Sequence, residues 1–346
     1  MTVNTIGIIG GGQLARMMAL AGIPLGYKFI FLDTYASCPA ADLGELIVAE
    51  YDDQDKLLEL AKRCDVLTFD FENVPASALD EIVQHVTFHP AVDALKTAQD
   101  RLSEKTLFDA LDIPTPDYLN IENESDLTNA RDFTFPGILK TRRLGYDGKG
   151  QVRVKDFSEL IAGWKELNNL ACLLEGFVDF DKEVSQVAVR GKDGEIKFYP
   201  LAHNIHKNGV LVETNAPYQD DALAELAQRH TRKLLEHFNY VGVLAVEYFV
   251  SKGGLIINEM APRVHNSGHW SIEGALTSQF ENHIRAISGL PLGDCSAVGV
   301  SKMLNCLGEM LDRAEAMQDL NAHYHDYAKE PRPGRKVGHI TYHYLK

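Results

Sequence analysis

The sequence predicts an α/β unit followed by a larger α+β region. Three observations carry that reading. Up to about residue 100, apolar strands alternate with helical segments, and from Pro116 to about Pro291 the pattern is one of antiparallel hairpins with helices between them. In addition, 346 residues are more than one hydrophobic core supports, so two or three domains sharing a cleft are expected.

In chain order, Thr5–Ile9 reads as the first strand, Gln13–Ala21 as a helix and Lys28–Leu32 as the next strand, followed later by strand Val66–Phe69 and helix Pro75–Gln84. Such alternation places parallel strands beneath helices. Pro24 falls where the first helix would continue, so that helix ends early. The helix Asp100–Leu111 and the breaker Ile113-Pro114-Thr115-Pro116 mark a boundary near 100. Beyond it, Gly137–Lys140, Val152–Val154, Ala171–Glu175, Glu183–Val189, Glu195–Pro200 and Val243–Glu259 read as strands, with helices near 156–167, 222–238 and 272–287. A strand near Val300–Leu307, a helix near 312–318 and a closing segment Lys336–Tyr344 complete the chain.

Hydrophobic residues make up 45% and charged residues 24%, as expected of a chain that buries sizeable cores. The 34 basic against 49 acidic residues give a net charge of −15, which repels nucleic acid and anionic membranes; neither is an expected partner. No apolar run approaches 18 residues, and Met1–Gly12 passes into a strand without the features of a leader. Five scattered cysteines without a C-x-x-C pair suggest neither a disulfide framework nor a zinc site, and point to a reducing, cytoplasmic setting.

Gly10-Gly11-Gly12-Gln13-Leu14-Ala15 follows a strand, opens a helix and fits G-x-G-x-x-A, while Asp33 ends the next strand. Alone, this is a dinucleotide fingerprint and supports a nicotinamide-dependent oxidoreductase. The same helix N-terminus also accepts any small phosphate or carboxylate, or is simply a tight turn. Residues 140–151 hold three glycines and four basic residues between two strands. Glycines let backbone N–H groups approach phosphate oxygens and the cations match their charge, which reads as a lid over a nucleotide; the alternative is a solvated basic hairpin. Lys140 ends an apolar strand, where its burial demands an anionic partner.

The strands ending at Glu247 and Glu259 flank the turn Ser251-Lys252-Gly253-Gly254. A turn centred on Gly253 sets Glu247 opposite Glu259, on a face otherwise made of Val243, Ala245, Phe249, Leu255 and Ile257. Two opposed carboxylates on an apolar face need a proton or a cation between them. Oxygen ligands alone favour Mg2+ over zinc, with the remaining ligands drawn from water and phosphate. A slip of one residue would turn both glutamates to solvent.

With the lid, Glu175-Gly176-Phe177-Val178, Glu183 and Asn258-Glu259-Met260-Ala261-Pro262-Arg263, this pair makes the chain resemble the ATP-grasp fold. More narrowly, it resembles the N5-carboxyaminoimidazole ribonucleotide synthases of purine biosynthesis, on Gly10–Met17, Phe71–Pro75, Arg142–Gln151, Arg263–Trp270 and Arg332–His339, which span nearly the whole chain. The resemblance implies a Rossmann-like pre-ATP-grasp domain at 1–100, an ATP-grasp domain at 101–293 with a lid subdomain at about 117–180, and a small C-terminal domain at 294–346. It implies that ATP phosphorylates bicarbonate to carboxyphosphate, and that the amine of aminoimidazole ribonucleotide takes up the carboxyl group, releasing ADP and phosphate. It also implies a homodimer, and Mg2+, or Mn2+ in its place, on Glu247 and Glu259.

By position within that family, Glu175, Gly176, Phe177 and Val178 would line the adenine pocket and Glu183 would hold the ribose. Arg101, Lys140, His206, Asn258, Glu259 and the lid residues Gly145, Tyr146, Asp147, Gly148, Lys149, Gly150 and Gln151 would contact the nucleotide. Gly11, Gln13, Leu14, Glu72, Asn73, Ser267, Lys329, Arg335 and Lys336 would bind the ribonucleotide, the last three at its phosphate, where an Arg and Lys fork suits a dianion. Arg263, His265, Asn266, Tyr146 and Asp147 would carry catalysis, with His265 or His269 as an acid–base group. His203 stands where the family is expected to carry a glutamate. The rival readings are another ATP-grasp ligase, such as the formate-dependent glycinamide ribonucleotide transformylase or biotin carboxylase, the nicotinamide enzyme, and an ATP-binding regulatory module.

Overall fold

The computed structural model describes residues 3–145 and 148–345. A five-stranded parallel sheet comes first, with β1 (Thr5–Ile9), β2 (Lys28–Asp33), β3 (Glu45–Val48), β4 (Val66–Phe69) and β5 (Thr87–Phe88) in the order β3-β2-β1-β4-β5. Helices α1 (Gln13–Gly22), α2 (Gln54–Arg63), α3 (Ala76–Ile82) and α4 (Val92–Ala98) connect and flank these strands. β1 and β4 are buried along almost their whole length, as strands covered on both faces are. With Pro24 two residues beyond its end, α1 gives way at Gly22 to a tighter 3-10 turn, Ile23–Leu25.

α5 (Arg101–Ala110) begins at the Asp100 carboxylate, which accepts the Leu102 N–H as a helix cap. A four-stranded antiparallel sheet follows, β6 (Tyr118–Ile121), β7 (Gly137–Thr141), β8 (Gln151–Val154) and β9 (Cys172–Gly176), in the order β6-β9-β7-β8 and backed by α6 (Phe157–Glu166). Ile121, Leu139, Val154, Leu160, Trp164 and Leu174 give it a core of its own.

The large sheet has nine strands: β10 (Lys182–Arg190), β11 (Ile196–Phe198), β12 (Ala202–Lys207), β13 (Val210–Ala216), β14 (Gly242–Ser251), β15 (Gly254–Ala261), β16 (Val300–Leu307), β17 (Ala322–Asp326) and β18 (Lys336–Tyr344). They run antiparallel in the order β15-β14-β10-β12-β13-β16-β18-β17, with β11 beside β10. One face packs on α7 (Asp221–His237) through Val184, Leu244, Val246 and Tyr248. The other packs Val187, Val243 and Ala245 with Phe280 and Ile284, in a cluster that also takes in Ile6, Ile8 and Met17 of the first domain. α8 (Ser271–Gly274) and α9 (Gln279–Ser288) lie on this side, and α10 (Arg313–Ala316) adjoins β17.

β3, β5, β6, β17, α2 and α4 have no counterpart among the expected elements, and three further departures bear on the site. The hairpin β12–β13 has no counterpart among those elements, although its turn, Asn208-Gly209 with φ of 52° and 77°, has the conformation that a two-residue hairpin favours. The single helix at 272–287 is two helices, because Ser278 accepts the Glu281 N–H and caps a fresh start at Gln279. The C-terminal strands form no sheet of their own: β16 pairs with β13, and β18 and β17 continue outward. All five cysteines are free, and among the described residues no helix is long and apolar enough to cross a membrane.

Candidate active site

β14 and β15 are joined by Lys252-Gly253, with φ of 50° and 75°. Ser251 pairs with Gly254, so the hairpin centre lies between residues 252 and 253, not on Gly253. From that centre an unbroken ladder would set Glu247 against Asn258 and turn Glu259 to the opposite face. A β-bulge at Asn258 absorbs one residue, so that Tyr248 pairs with Ile257 and Glu247 with Glu259. The expected opposition holds, but through a bulge. The expected face does not: Leu255 and Ile257 lie with Tyr248 and Val250 in the core under α7, while the glutamates share their side with Ala245, Phe249 and Ala261.

That side continues across the sheet through the pairs Ser185–Glu247 and Glu183–Asn204. His206 Nδ1 lies 3.0 Å from a Glu183 oxygen. Burial resists protonation of His206, but Glu183 and Glu247 outweigh it and raise its pKa. Glu247 is pushed up to about 7, by burial first and then by Glu259. Burial also acts on Glu259, whose side chain keeps 41% of its surface open to the cleft, yet Arg101, Lys140 and Lys105 together hold its pKa below the usual value. Arg101 Nη1 stands 3.3 Å from the Glu259 carboxylate. Protein cations outweigh burial at Glu259, whereas at Glu247 His206 and Lys336 do not offset burial and the neighbouring carboxylate.

α5 runs beside β15 and presents Arg101, Glu104 and Lys105 to it, the spacing that shares one helix face. Lys105 donates to the Asn258 carbonyl at 2.7 Å and lies 3.9 Å from Glu175. Lys140, near the end of β7, donates to Glu175 at 2.8 Å. The anionic partner that Lys140 demands is thus supplied from within. Against burial, Lys105 and Lys140 hold Glu175 down to about 2. Its second oxygen, Oε1, is buried without a partner among the described residues, as is Asn258 Oδ1.

The lid departs from expectation at its root. Arg142 and Arg143 do not point to a phosphate; both bind Asp100, at 2.6 and 2.9 Å, and Arg142 also pairs with Glu122. Because the Arg101 N–H donates to the Arg142 carbonyl at 3.0 Å, these arginines fasten the lid to the helix that carries Arg101. Gly145 lies near that guanidinium, and a Cβ on Gly150, whose φ is 70°, would come within 2.6 Å of Thr141 Oγ1. Gly148 approaches the Asn208 carbonyl so closely that a Cβ would meet it at 2.8 Å, so the lid reaches the β12–β13 turn at Gly148, while Gln151 pairs with Lys140. Tyr146 and Asp147 lie outside the described residues. In the run 175–178, the N–H groups of Gly176 and Phe177 are spent on the Asp117 and Pro136 carbonyls, and the Phe177 ring carries the Arg153 guanidinium at 4.4 Å.

Beside this cluster, Arg263 reaches back to the first domain and grips Glu72 at 2.8 Å. His265 Nδ1 sits 2.9 Å from Ser267 Oγ and 3.8 Å from Glu247. Burial and Arg263 keep the His265 pKa well below its usual value, and the ring is neutral. Nδ1 accepts the Ser267 N–H, which assigns the ring proton to Nε2. Asn266 exchanges amide hydrogen bonds of 3.0 and 2.6 Å with Asn305 of β16, a residue that no motif marks in the sequence. Lys336 lies close enough to act on the pKa of both Glu247 and His265, and Lys329 acts on Asp70. Arg335 donates to the Glu330 carbonyl at 3.0 Å.

Other expected residues stand apart. His269 is fully buried, 3.1 Å from Gln279 and in ring contact with His339, so it forms the wall behind the site and is no acid–base group. His203 faces away from Asn204, toward Tyr218. Leu14 places its side chain in the core, Gln13 is half-buried and Asn73 is exposed.

The first glycine turn is already filled. Asp33 accepts from the N–H of Gly11 at 2.7 Å, from the N–H of Tyr35 and from the Tyr51 hydroxyl, so the Gly11 N–H is not free for a ligand. Asp70, just past β4, takes the N–H groups of Gly12 and Ala15, and a Cβ on Gly10 would lie 1.8 Å from it. Burial and the nearby Asp33 push Asp70 up to about 7. The chain's own carboxylate sits where a dinucleotide phosphate would bind, and the nicotinamide reading fails there.

A lid sheet and a large antiparallel sheet that bring together Lys140, Arg101 and an opposed pair of glutamates define an ATP-grasp ligase. Residues 106–280 match the ATP-grasp domain model, 3–99 the ribonucleotide synthetase preATP-grasp domain and 301–344 the phosphoribosylaminoimidazole carboxylase C-terminal domain. The N5-carboxyaminoimidazole ribonucleotide synthase of Pseudomonas aeruginosa is 49% identical over 97% of this chain and 93% of its own length. The crystal structure of the Thermus thermophilus synthetase matches with a TM-score of 0.94 at 47% identity, over 98% of this chain and 93% of that one. An Aspergillus clavatus synthase in complex with ADP and 5-aminoimidazole ribonucleotide matches with a TM-score of 0.91 at 29% identity, over 99% and 94% of the two chains. The chain belongs to the N5-carboxyaminoimidazole ribonucleotide synthase family of ATP-grasp enzymes in purine biosynthesis.

Proposed function

We propose that this chain uses ATP to join bicarbonate to the amine of 5-aminoimidazole ribonucleotide, acting in the cytoplasm as a homodimer. The observation that carries the reading is the opposed pair Glu247 and Glu259, facing Arg101 and Lys140 on one side and Arg263 and His265 on the other. Lys140 and Arg101 would bind the ATP phosphates, Glu183 the ribose, and the unpartnered Glu175 Oε1 suits a donor on the base.

The carboxylate pair fits Mg2+. Its donors are all oxygen, the pKa of Glu247 stays raised despite His206 and Lys336, and among the described residues no group of three or more His, Cys, Asp or Glu side chains could hold an ion unaided. Glu247 and Glu259 would therefore share the ion with the ATP phosphates, where it supplies positive charge to the transferring phosphoryl group.

Bicarbonate oxygen attacks the γ-phosphorus, ADP leaves, and carboxyphosphate remains under the lid, which keeps water from it. The ribonucleotide amine then attacks the carboxyl carbon. The bond to phosphate breaks, and the departing phosphate is a base able to take the amine proton. His265, neutral with its proton on Nε2, serves as a hydrogen-bond donor toward the carboxyl group. Arg263, held by Glu72, supplies fixed positive charge beside it. Lys329, Arg335 and Lys336 would take the ribonucleotide phosphate, since Asp70 occupies the glycine turn.

An ADP-release assay with ATP, Mg2+ and bicarbonate tests this. Turnover rises when the ribonucleotide is added; a rate indifferent to it rejects the substrate. Sedimentation velocity tests the dimer, which a single monomeric species would exclude.

A further inference from the structure

We propose that Glu104 and Lys105 are positioning residues for the metal clamp: they hold the bulge at Asn258 that brings Glu259 into register with Glu247. The inference rests on the reading of Glu247 and Glu259 as Mg2+ ligands. β15 is the outermost strand at its end of the large sheet. Such an edge carries backbone groups with no strand to pair with, and a bulge leaves more of them unpaired.

α5 supplies the missing partners at this spot. Lys105 Nζ donates to the carbonyls of Ile257 at 3.4 Å and Asn258 at 2.7 Å, and Glu104 Oε1 accepts the Met260 N–H at 2.8 Å. The Ile257 N–H donates to the Pro114 carbonyl at 2.8 Å, just beyond the same helix. Backbone groups on both sides of Glu259 are therefore gripped, while its side chain meets Arg101 one turn earlier on α5.

Both side chains are almost fully buried, Glu104 at 2% exposure and Lys105 at 0%. A buried ammonium beside a buried carboxyl is costly where apolar side chains would pack as well. Apolar side chains could not fix the bulge. Without it the ladder returns to regular pairing, Glu247 faces Asn258, and Glu259 turns to the other side of the sheet. Glu104 and Lys105 act through the backbone and not on the substrates.

Glu104→Leu and Lys105→Met remove the two grips, whereas Glu104→Gln keeps the acceptor. Turnover is followed against free Mg2+ at saturating ATP, bicarbonate and ribonucleotide. The half-saturating Mg2+ concentration rises about tenfold in E104L and K105M, the effect of losing roughly one net hydrogen bond. The ribonucleotide KM stays near that of the unaltered chain, and E104Q behaves like the unaltered chain. A fall in kcat or melting temperature with an unchanged Mg2+ dependence overturns the proposal, as does an E104Q that behaves like E104L. If K105M does not fold, the E104L and E104Q pair decides. E247Q and E259Q are measured alongside by calorimetric Mg2+ binding to the ADP complex, which needs no turnover: if they leave Mg2+ affinity unchanged, the clamp itself fails. If they shift it and E104L and K105M do not, only the positioning role fails.

Discussion

Glu175 is the residue on which the nucleotide side of the cleft is balanced, because two buried lysines have it as their shared anion. Removing one member of such a group leaves the others charged and unpaired, at a cost of about 3–5 kcal/mol. Glu175→Gln should therefore lower the free energy of unfolding extrapolated from urea by about that amount; an unchanged value would show that the lysines find other partners. At Glu247 the readout is pH. Its pKa, raised to about 7 by burial and Glu259, means that a proton competes with Mg2+ below neutrality. Mg2+ affinity of the ADP complex, measured calorimetrically, should weaken as pH falls from 8 to 6, approaching about tenfold per unit below the pKa. Glu247→Gln should flatten the profile, and an equally steep profile in that variant would exclude Glu247 as the competing group. Glu259→Gln should abolish turnover with the fold intact, and an active variant would sink the clamp. Lys140 and the two glutamates are legible in the sequence because charge on an apolar strand requires a partner. Asp70, Asn305, Glu104 and Lys105 are not, because each gains its role from a contact with a distant segment.

Among the elements, the β14–β15 hairpin shows how a sequence pattern leads to the right pair by the wrong geometry. The turn residues predict the hairpin, but they do not reveal the bulge, since Asn258 joins its partner helix across some 150 intervening residues. β12–β13 escapes notice for a different reason: Asn204, His206, Glu213 and Thr214 make its strands look polar, because Asn204, His206 and Thr214 lie on the Glu183 side of the sheet while Glu213, on the other side, pairs with Lys302. The lid root is the other element with a measurable role. Asp100→Ala removes a helix cap worth about 1 kcal/mol and frees Arg142 and Arg143 from α5. The ATP KM should rise while the ribonucleotide KM holds; a change confined to the ribonucleotide would contradict the anchoring role.

At the scale of the whole molecule, the first domain and the large sheet share one core, whereas the lid sheet has its own. The parallel order of the first domain follows from its alternating pattern, but nothing in that pattern shows that Ile6 and Met17 join the cluster containing Val243 and Phe280. The two tryptophans separate these units: Trp164 lies in the lid core and Trp270 in the shared one. In urea, fluorescence of W270F should report loss of the lid before fluorescence of W164F reports loss of the body. Coincident transitions would show that the lid unfolds only with the rest.

The last strands close the sheet, and this has a consequence for synthesis on the ribosome. β13 acquires its neighbour only when β16 has emerged, and Lys336 opens the final strand, β18. A chain that stalls or is cut before residue 300 therefore presents a bare strand edge, the feature that chaperones and proteases recognise in incomplete products. It also lacks the cations proposed to receive the ribonucleotide phosphate. A prematurely ended chain is marked for removal by the same absence that keeps it from using its second substrate.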